Sequence, residues 1–185
     1  MRFVSENEQA EHRARLRRGV GYRVLTQDSS ISFEPIDLSR NADTAVAFRR
    51  DSYVCSFGSD QAFGGADEYL EWLSDRIARQ PTGHVHVWHG AKIIGQLEML
   101  IQTTAPVKGY VNLFYLVSEA RGRGHGEALH SYFLQFMQAG GAHLARLSVS
   151  PRNARALAYY RNHGWQDLGL CTDDAAVHLM EFHVA

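Results

Sequence analysis

The longest apolar runs in this chain are about five residues, against the roughly 18 that a membrane helix needs, so no segment reads as a span and no membrane partner is expected. Neither sign of charge is in excess. The 19 basic and 20 acidic residues leave a formal charge of −1, which removes the electrostatic footprint that binding to nucleic acid or an acidic surface requires. Cysteine is scarce: Cys55 and Cys171 are the only 2, and they lie far apart in sequence. That excludes a disulfide-stapled scaffold. Because the first residues also lack the apolar core of a secretory signal, the expectation is reduced thiols in a cytoplasmic protein. No internal repeat, low-complexity segment or linker interrupts the chain. The remainder is ordinary: 185 residues, 45% hydrophobic and 21% charged, suit a single globular domain.

Against this background one stretch stands out, Arg121-Gly122-Arg123-Gly124-His125-Gly126. It follows an apolar strand-like run at residues 111–117 and precedes a helix-like run at 127–138. A strand that ends in a glycine-rich turn and then starts a helix leaves backbone N–H groups without partners. Those donors and the positive end of the helix dipole attract phosphate. Alternate glycines let the backbone approach an anion without an intervening side chain. A cofactor carrying a pyrophosphate is therefore the first expectation. A P-loop is excluded because the Lys-Ser/Thr pair of G-x-x-x-x-G-K-S/T is missing. A dinucleotide fingerprint fails twice. Its third glycine position holds Glu127, with Gly126 one residue early, and residues 144–149 offer no acid for a ribose.

The pattern Arg121-x-x-Gly124-x-Gly126 resembles the R/Q-x-x-G-x-G/A pyrophosphate loop of the GNAT superfamily of N-acetyltransferases. A second element lies at the appropriate distance. A strand at 145–149 leads into Asn153-x-x-Ala156-x-x-Tyr159-Tyr160, with Gly164-Trp165 beyond. This segment is similar to the family's N-x-x-A-x-x-F/L-Y…G-F/W. The resemblance covers residues 31–184 and is sharpest at 111–165.

Patterning along the rest of the chain agrees with it. Residues 1–30 form an N-terminal extension, with a charged stretch containing Arg13, Arg15, Arg17 and Arg18 read as a solvated helix or frayed end, and a strand-like run at 21–25. Residues 31–185 read as the domain proper. A strand at 31–36 ends near Pro35. A helix capped by Ser39 or Asn41 runs to about Ser56, and a glycine-containing loop occupies 57–65. Residues 67–78 carry apolar groups at helical spacing. Strands follow at 85–88 and 92–101, joined at His89-Gly90, and after the two motifs closing strands lie at 168–171 and 176–184. The expected fold is α/β: a single mixed, mostly antiparallel central sheet flanked by helices, GNAT-like, with splayed parallel strands in the middle.

The resemblance implies that acetyl-coenzyme A is the co-substrate and a primary amine, small molecule or peptide, the acceptor. It implies that Arg121, Gly122, Arg123, Gly124, His125 and Gly126 hold the pyrophosphate. The pantetheine arm would lie in a gap between Leu116-Val117 and residues 147–149, with a backbone N–H near Leu116 facing the thioester oxygen. Asn153, Ala156 and Tyr159 would complete the cofactor site, with Asn153 either contacting the cofactor or capping the helix that follows it. Tyr160 takes the position of the family tyrosine near the coenzyme sulfur. A phenol of pKa ~10 is protonated at neutral pH, which suits a general acid that protonates the leaving thiolate.

Glu98 is the candidate base. It stands in an otherwise apolar strand, where a carboxylate needs a partner or a water-filled cleft. A turn centred near Ala105-Pro106 would set Glu98 opposite Phe114 and on the same face as Asn112. Asn112 falls where some relatives carry an acid. It could hold a water that relays the proton to Glu98. The acceptor is expected near Asp51, Tyr53, Phe57, Asp60 and Phe63.

His84, His86 and His89 lack a completing ligand, so they read as surface histidines of a half-exposed strand, and no metal site is expected. No cysteine lies beside the motifs in sequence, which argues for direct attack without an acyl-enzyme. Two alternatives stay open: a non-catalytic acyl-coenzyme A sensor, and transfer of a larger acyl group. The resemblance adds that a homodimer is common.

Overall fold

The computed structural model describes residues 30–103, 105–172 and 174–184. The expectations for the charged stretch and the strand at 21–25 lie outside these residues. Strand β1 (Ile31–Pro35) leads into helix α1 (Leu38–Phe57). Asp37 caps this helix, in place of Ser39 or Asn41: its carboxylate accepts the Ser39 N–H at 3.0 Å and the Ser39 hydroxyl at 2.6 Å. Pro35 forces the chain to leave β1 there, so the first residue able to cap is Asp37. Asn41 sits at a kink with φ −129°. Helix α2 (Ala66–Arg79) has Asp67 and Glu68 in its first turn and Arg76 and Arg79 in its last, which complements its dipole.

Strands β2 (His84–His89), β3 (Lys92–Gln102) and β4 (Lys108–Leu116) form an antiparallel meander. Helix α3 (His125–Ala139) begins two residues earlier than its periodicity suggests, because Gly124 at φ 85° ends the turn. Strand β5 (Leu144–Val149), helix α4 (Ala154–Asn162) and strands β6 (Gln166–Leu170) and β7 (His178–His183) complete the chain. The strand order is β1-β2-β3-β4-β5-β7-β6, with β4 and β5 parallel and the other neighbours antiparallel.

Alternation along β3 decides which helix layer covers which face. Leu97 and Met99 point into the larger core, with Leu129, Phe133 and Met137 of α3 and Leu157 and Tyr160 of α4. Gln96 and Glu98 point the other way, toward Tyr69 of α2. A smaller core of Ile36, Ala45, Tyr69 and Leu73 lies on that side. Helices α1 and α2 thus cover one face, and α3 and α4 the other.

His84 and His86 are not surface histidines. They are 0% and 1% exposed, because β2 is an interior strand beneath α1 and α2. Burial pushes the His86 imidazole down to about 4. No group of three metal-ligating side chains occurs among the described residues. No helix among them is long and apolar enough to cross a membrane.

The two edges of β4 are both irregular. Opposite β3 its register shifts, with Glu98 pairing Leu113 and Met99 pairing Val111, so Asn112 is the extra residue of a bulge. Glu98 consequently faces Leu113 rather than Phe114. A uniform period cannot anticipate an inserted residue. On its other side, β4 pairs β5 only from Lys108 to Val111. Beyond that point the two parallel strands separate.

Candidate active site

The separation of β4 from β5 opens a cavity of about 540 Å³. Residues 110–116 of β4 form one wall, and residues 147–150, from β5 and the turn after it, form the other. Arg121, Gly122 and Gly126 close one end, Asn153, Ala156, Tyr159 and Tyr160 of α4 line the flank, and Arg49, Tyr53, Cys55 and Phe57 of α1 cover the mouth.

The glycine-rich turn has the local geometry its sequence suggests. Gly122 and Gly124 adopt φ 71° and 85°, in the left-handed region that a side chain resists. The N–H groups of residues 122–126 have no protein acceptor among the described residues. They cluster at the N-terminus of α3 and form a nest of donors for an anion. Gly126 is needed for close packing. A Cβ there would come within 2.9 Å of Tyr159 Cε2, and the Tyr159 hydroxyl donates to the Gly126 carbonyl at 2.8 Å. Tyr159 therefore fixes α4 against the start of α3. Its phenol is held protonated, first by burial and then by the neighbouring Tyr160.

Not every predicted residue reaches the cavity in the same way. The Arg121 guanidinium turns back over β4. Its Nε donates to the Leu116 carbonyl at 2.7 Å and its Nη2 lies 3.3 Å from Asp51 Oδ2. The Val117 N–H is spent on the Ile94 carbonyl at 2.9 Å. Asn153 caps α4 by accepting the Ala156 N–H at 3.2 Å. Val117, Arg123, Gly124 and His125 lie off the cavity wall. His125 packs its ring against His89, 5.3 Å away.

Tyr160 is 7% exposed and lines the cavity. Its hydroxyl has no hydrogen-bond partner among the described residues, and burial raises its pKa above the ordinary phenol value. Asn112 also lines the cavity, with its Nδ2 buried and unpartnered.

Glu98 is placed differently. It is 0% exposed and has no face on the wall. Its Oε1 accepts the Tyr69 hydroxyl at 2.6 Å and Gln96 Nε2 at 2.8 Å. Its Oε2 lies 3.5 Å from Arg49 Nη1. Gln96 continues the chain to His86 Nε2 at 3.1 Å. Burial, followed by the Glu98 charge, drives the Tyr69 phenol upward. Arg49 therefore stands between Glu98 and the cavity, and its Nη1 also donates to the Asn112 carbonyl at 2.9 Å.

Of the expected acceptor-side residues, Tyr53 and Phe57 line the cavity. Phe63 instead packs behind them on Tyr53 and Tyr69, and Asp51 accepts from Tyr115 and Arg121. Sequence reasoning missed Arg49 and Arg155, which are ordinary helix arginines until the fold closes around them. It also missed Cys55. Distant from both motifs in the chain, Cys55 lines the cavity 3.5 Å from Arg121 Nη2. The expectation that no cysteine lies beside the motifs is corrected by the packing of α1 over the end of β4.

A splayed parallel pair, a donor nest at a helix start and a buried tyrosine thus meet at one cavity. Residues 47–165 match the model of the Acetyltransferase (GNAT) family, and the chain belongs to that family. Similar solved structures include a spermidine N-acetyltransferase from Vibrio cholerae in complex with CoA and spermine, 14% identical, covering 85% of this chain and 97% of that one at a TM-score of 0.67. Ard1 from Thermoplasma volcanium is 16% identical, with 84% and 99% covered and a TM-score of 0.67. The PaiA N-acetyltransferase from Thermoplasma acidophilum, in complex with coenzyme A, is 18% identical, with 83% and 99% covered and a TM-score of 0.62. At these identities the likeness is one of fold.

Proposed function

We propose that this acetyltransferase moves an acetyl group from acetyl-coenzyme A to a primary amine by direct attack. The observation that carries the reading is the row of unpartnered N–H groups at residues 122–126, of which Gly122 and Gly126 line the end of the cavity between β4 and β5. That nest suits a pyrophosphate, and the separated strands suit an extended arm whose amides pair with free strand edges. Residues Arg121 to Gly126, Leu116 and Val117, with Asn153, Ala156 and Tyr159, form the cofactor side in this reading. Two complexes of similar fold, from V. cholerae and T. acidophilum, contain coenzyme A.

The thioester supplies an activated acetyl carbon. The amine nitrogen bonds to that carbon, the carbon–sulfur bond breaks, and the departing thiolate takes the Tyr160 proton. Tyr160 suits this role because burial keeps the phenol protonated. Asn112 holds a water that passes the ammonium proton out to solvent, and the Tyr160 phenolate takes a proton back from solvent once the products leave. Glu98 influences that step through the negative charge it places behind Arg49, since it has no open route to the cavity. The unpaired thiols of Cys55 and Cys171 favour a cytoplasmic setting.

A covalent route through Cys55 is the second reading, favoured by its place on the cavity wall. The test is a thiol-release assay with acetyl-coenzyme A over a panel of amines, beside calorimetric titration of the cofactor alone. Binding with release for one amine class supports the transferase. Binding without release for any amine supports a sensor, and no binding removes the cofactor assignment. Cys55→Ala retains turnover if attack is direct. Its loss, with accumulation of acetylated wild-type protein when amine is withheld, supports the covalent route.

A further inference from the structure

Side chains on the cavity wall carry an unbalanced set of charges. Arg49, Arg121 and Arg155 line it, and no aspartate or glutamate does. Arg121 is engaged with Asp51 and the Leu116 carbonyl at the glycine-loop end. Arg49 lies on the α1 side, beside Tyr53, whose ring is 5.5 Å from its guanidinium.

Arg49 keeps part of its hydrogen-bonding capacity free at the cavity. Its contacts to the Asn112 carbonyl at 2.9 Å and to Glu98 at 3.5 Å both use Nη1. The edge formed by Nη2 and Nε has no protein acceptor among the described residues. Asn112, whose backbone carbonyl accepts from Arg49, also lines the cavity, and its Nδ2 is buried and unpartnered. Glu98 itself is fully buried and tied down by Tyr69 and Gln96, so it holds the guanidinium in place from behind. A pre-oriented guanidinium edge that lacks an acceptor matches the two oxygens of a carboxylate with its two parallel N–H groups. A polycation would meet arginines with no acid on the wall to offset them.

Resting on the acetyltransferase reading, we propose that the acceptor is an amine that also carries a carboxylate, and that Arg49 recognises it. Arg49 is then a specificity-determining residue, and Glu98 positions it.

The experiment uses the purified full chain with acetyl-coenzyme A and matched acceptors: α-amino acids, their carboxamides, and spermidine. The carboxylates are expected to exceed their carboxamides by at least about tenfold in kcat/KM, with spermidine inert. Arg49→Lys keeps the charge and loses the fork, and should abolish most of that ratio mainly through KM. Arg49→Met alone leaves Glu98 buried without its partner, so the double variant Arg49→Met, Glu98→Gln removes both charges and keeps the fold testable. Equal use of acids and amides, preference for spermidine, or a ratio unchanged in the folded double variant overturns the proposal. So does cofactor binding with no release for any carboxylate-bearing amine. Calorimetry of the cofactor without amine reads the cofactor assignment separately, and thiol release with any acceptor, spermidine included, reads the transferase assignment whatever the carboxylate preference.

Discussion

Gly124→Glu is the sharpest perturbation of the proposed cofactor site. Gly124 has φ 85°, and a Cβ there meets nothing within 4 Å. The substitution therefore costs backbone strain without a clash, about 1–2 kcal/mol for a non-glycine residue in the left-handed region. Its charge is the larger effect. The new carboxylate would sit beside the N–H groups of residues 122–126, competing with the pyrophosphate for the same donors. At about 5 Å and an effective dielectric of about 20, each pair of like unit charges costs about 3 kcal/mol. That corresponds to more than about a hundredfold in affinity. Gly124→Asn supplies the control, since asparagine tolerates this conformation and adds no charge. Calorimetric titration of acetyl-coenzyme A should show near wild-type affinity for Gly124→Asn and no measurable binding for Gly124→Glu. Thermal scans of both variants separate strain from charge. Wild-type affinity in folded Gly124→Glu would refute the assignment of this turn as the anion site.

Two further expectations concern buried side chains. Tyr160→Phe should lower kcat by roughly 10²-fold with cofactor affinity nearly intact, the usual scale for loss of a general acid; steady-state kinetics that match wild type would remove Tyr160 from the reaction. Burial lowers His86 and His130 to about 4 from 6.5. The unfolded chain therefore binds more protons than the folded one between those values, so stability is complete above about pH 6.5 and is lost as pH falls toward 4. The thermal midpoint should drop steadily between pH 7 and pH 5, and a flat profile would contradict the burial of these rings.

The legible part of this protein was its local chemistry. Positive φ at Gly122 and Gly124, the cap by Asn153 and the two-residue alternation of β4 are decided within a few residues, where glycine freedom, capping and patterning act. The succession of strands and helices along the chain and the two motifs came from the same local rules, read in sequence. Cavity-facing contacts were another matter. Glu98 looked like a base because an acid in an apolar strand demands an explanation, but the explanation is Tyr69, Gln96 and Arg49, contributed by other elements. Asn112 moved relative to Glu98 because a bulge adds one residue to β4. Histidines 84 and 86 became core because helices α1 and α2 close over β2, and Cys55 and Arg49 reached the cavity for the same reason. Backbone conformation depends on near neighbours, so the sequence alone determined the glycine-rich turn and the kind of fold. Which charges meet depends on how α1 lies across the bulged end of β4, and only tertiary packing decides that.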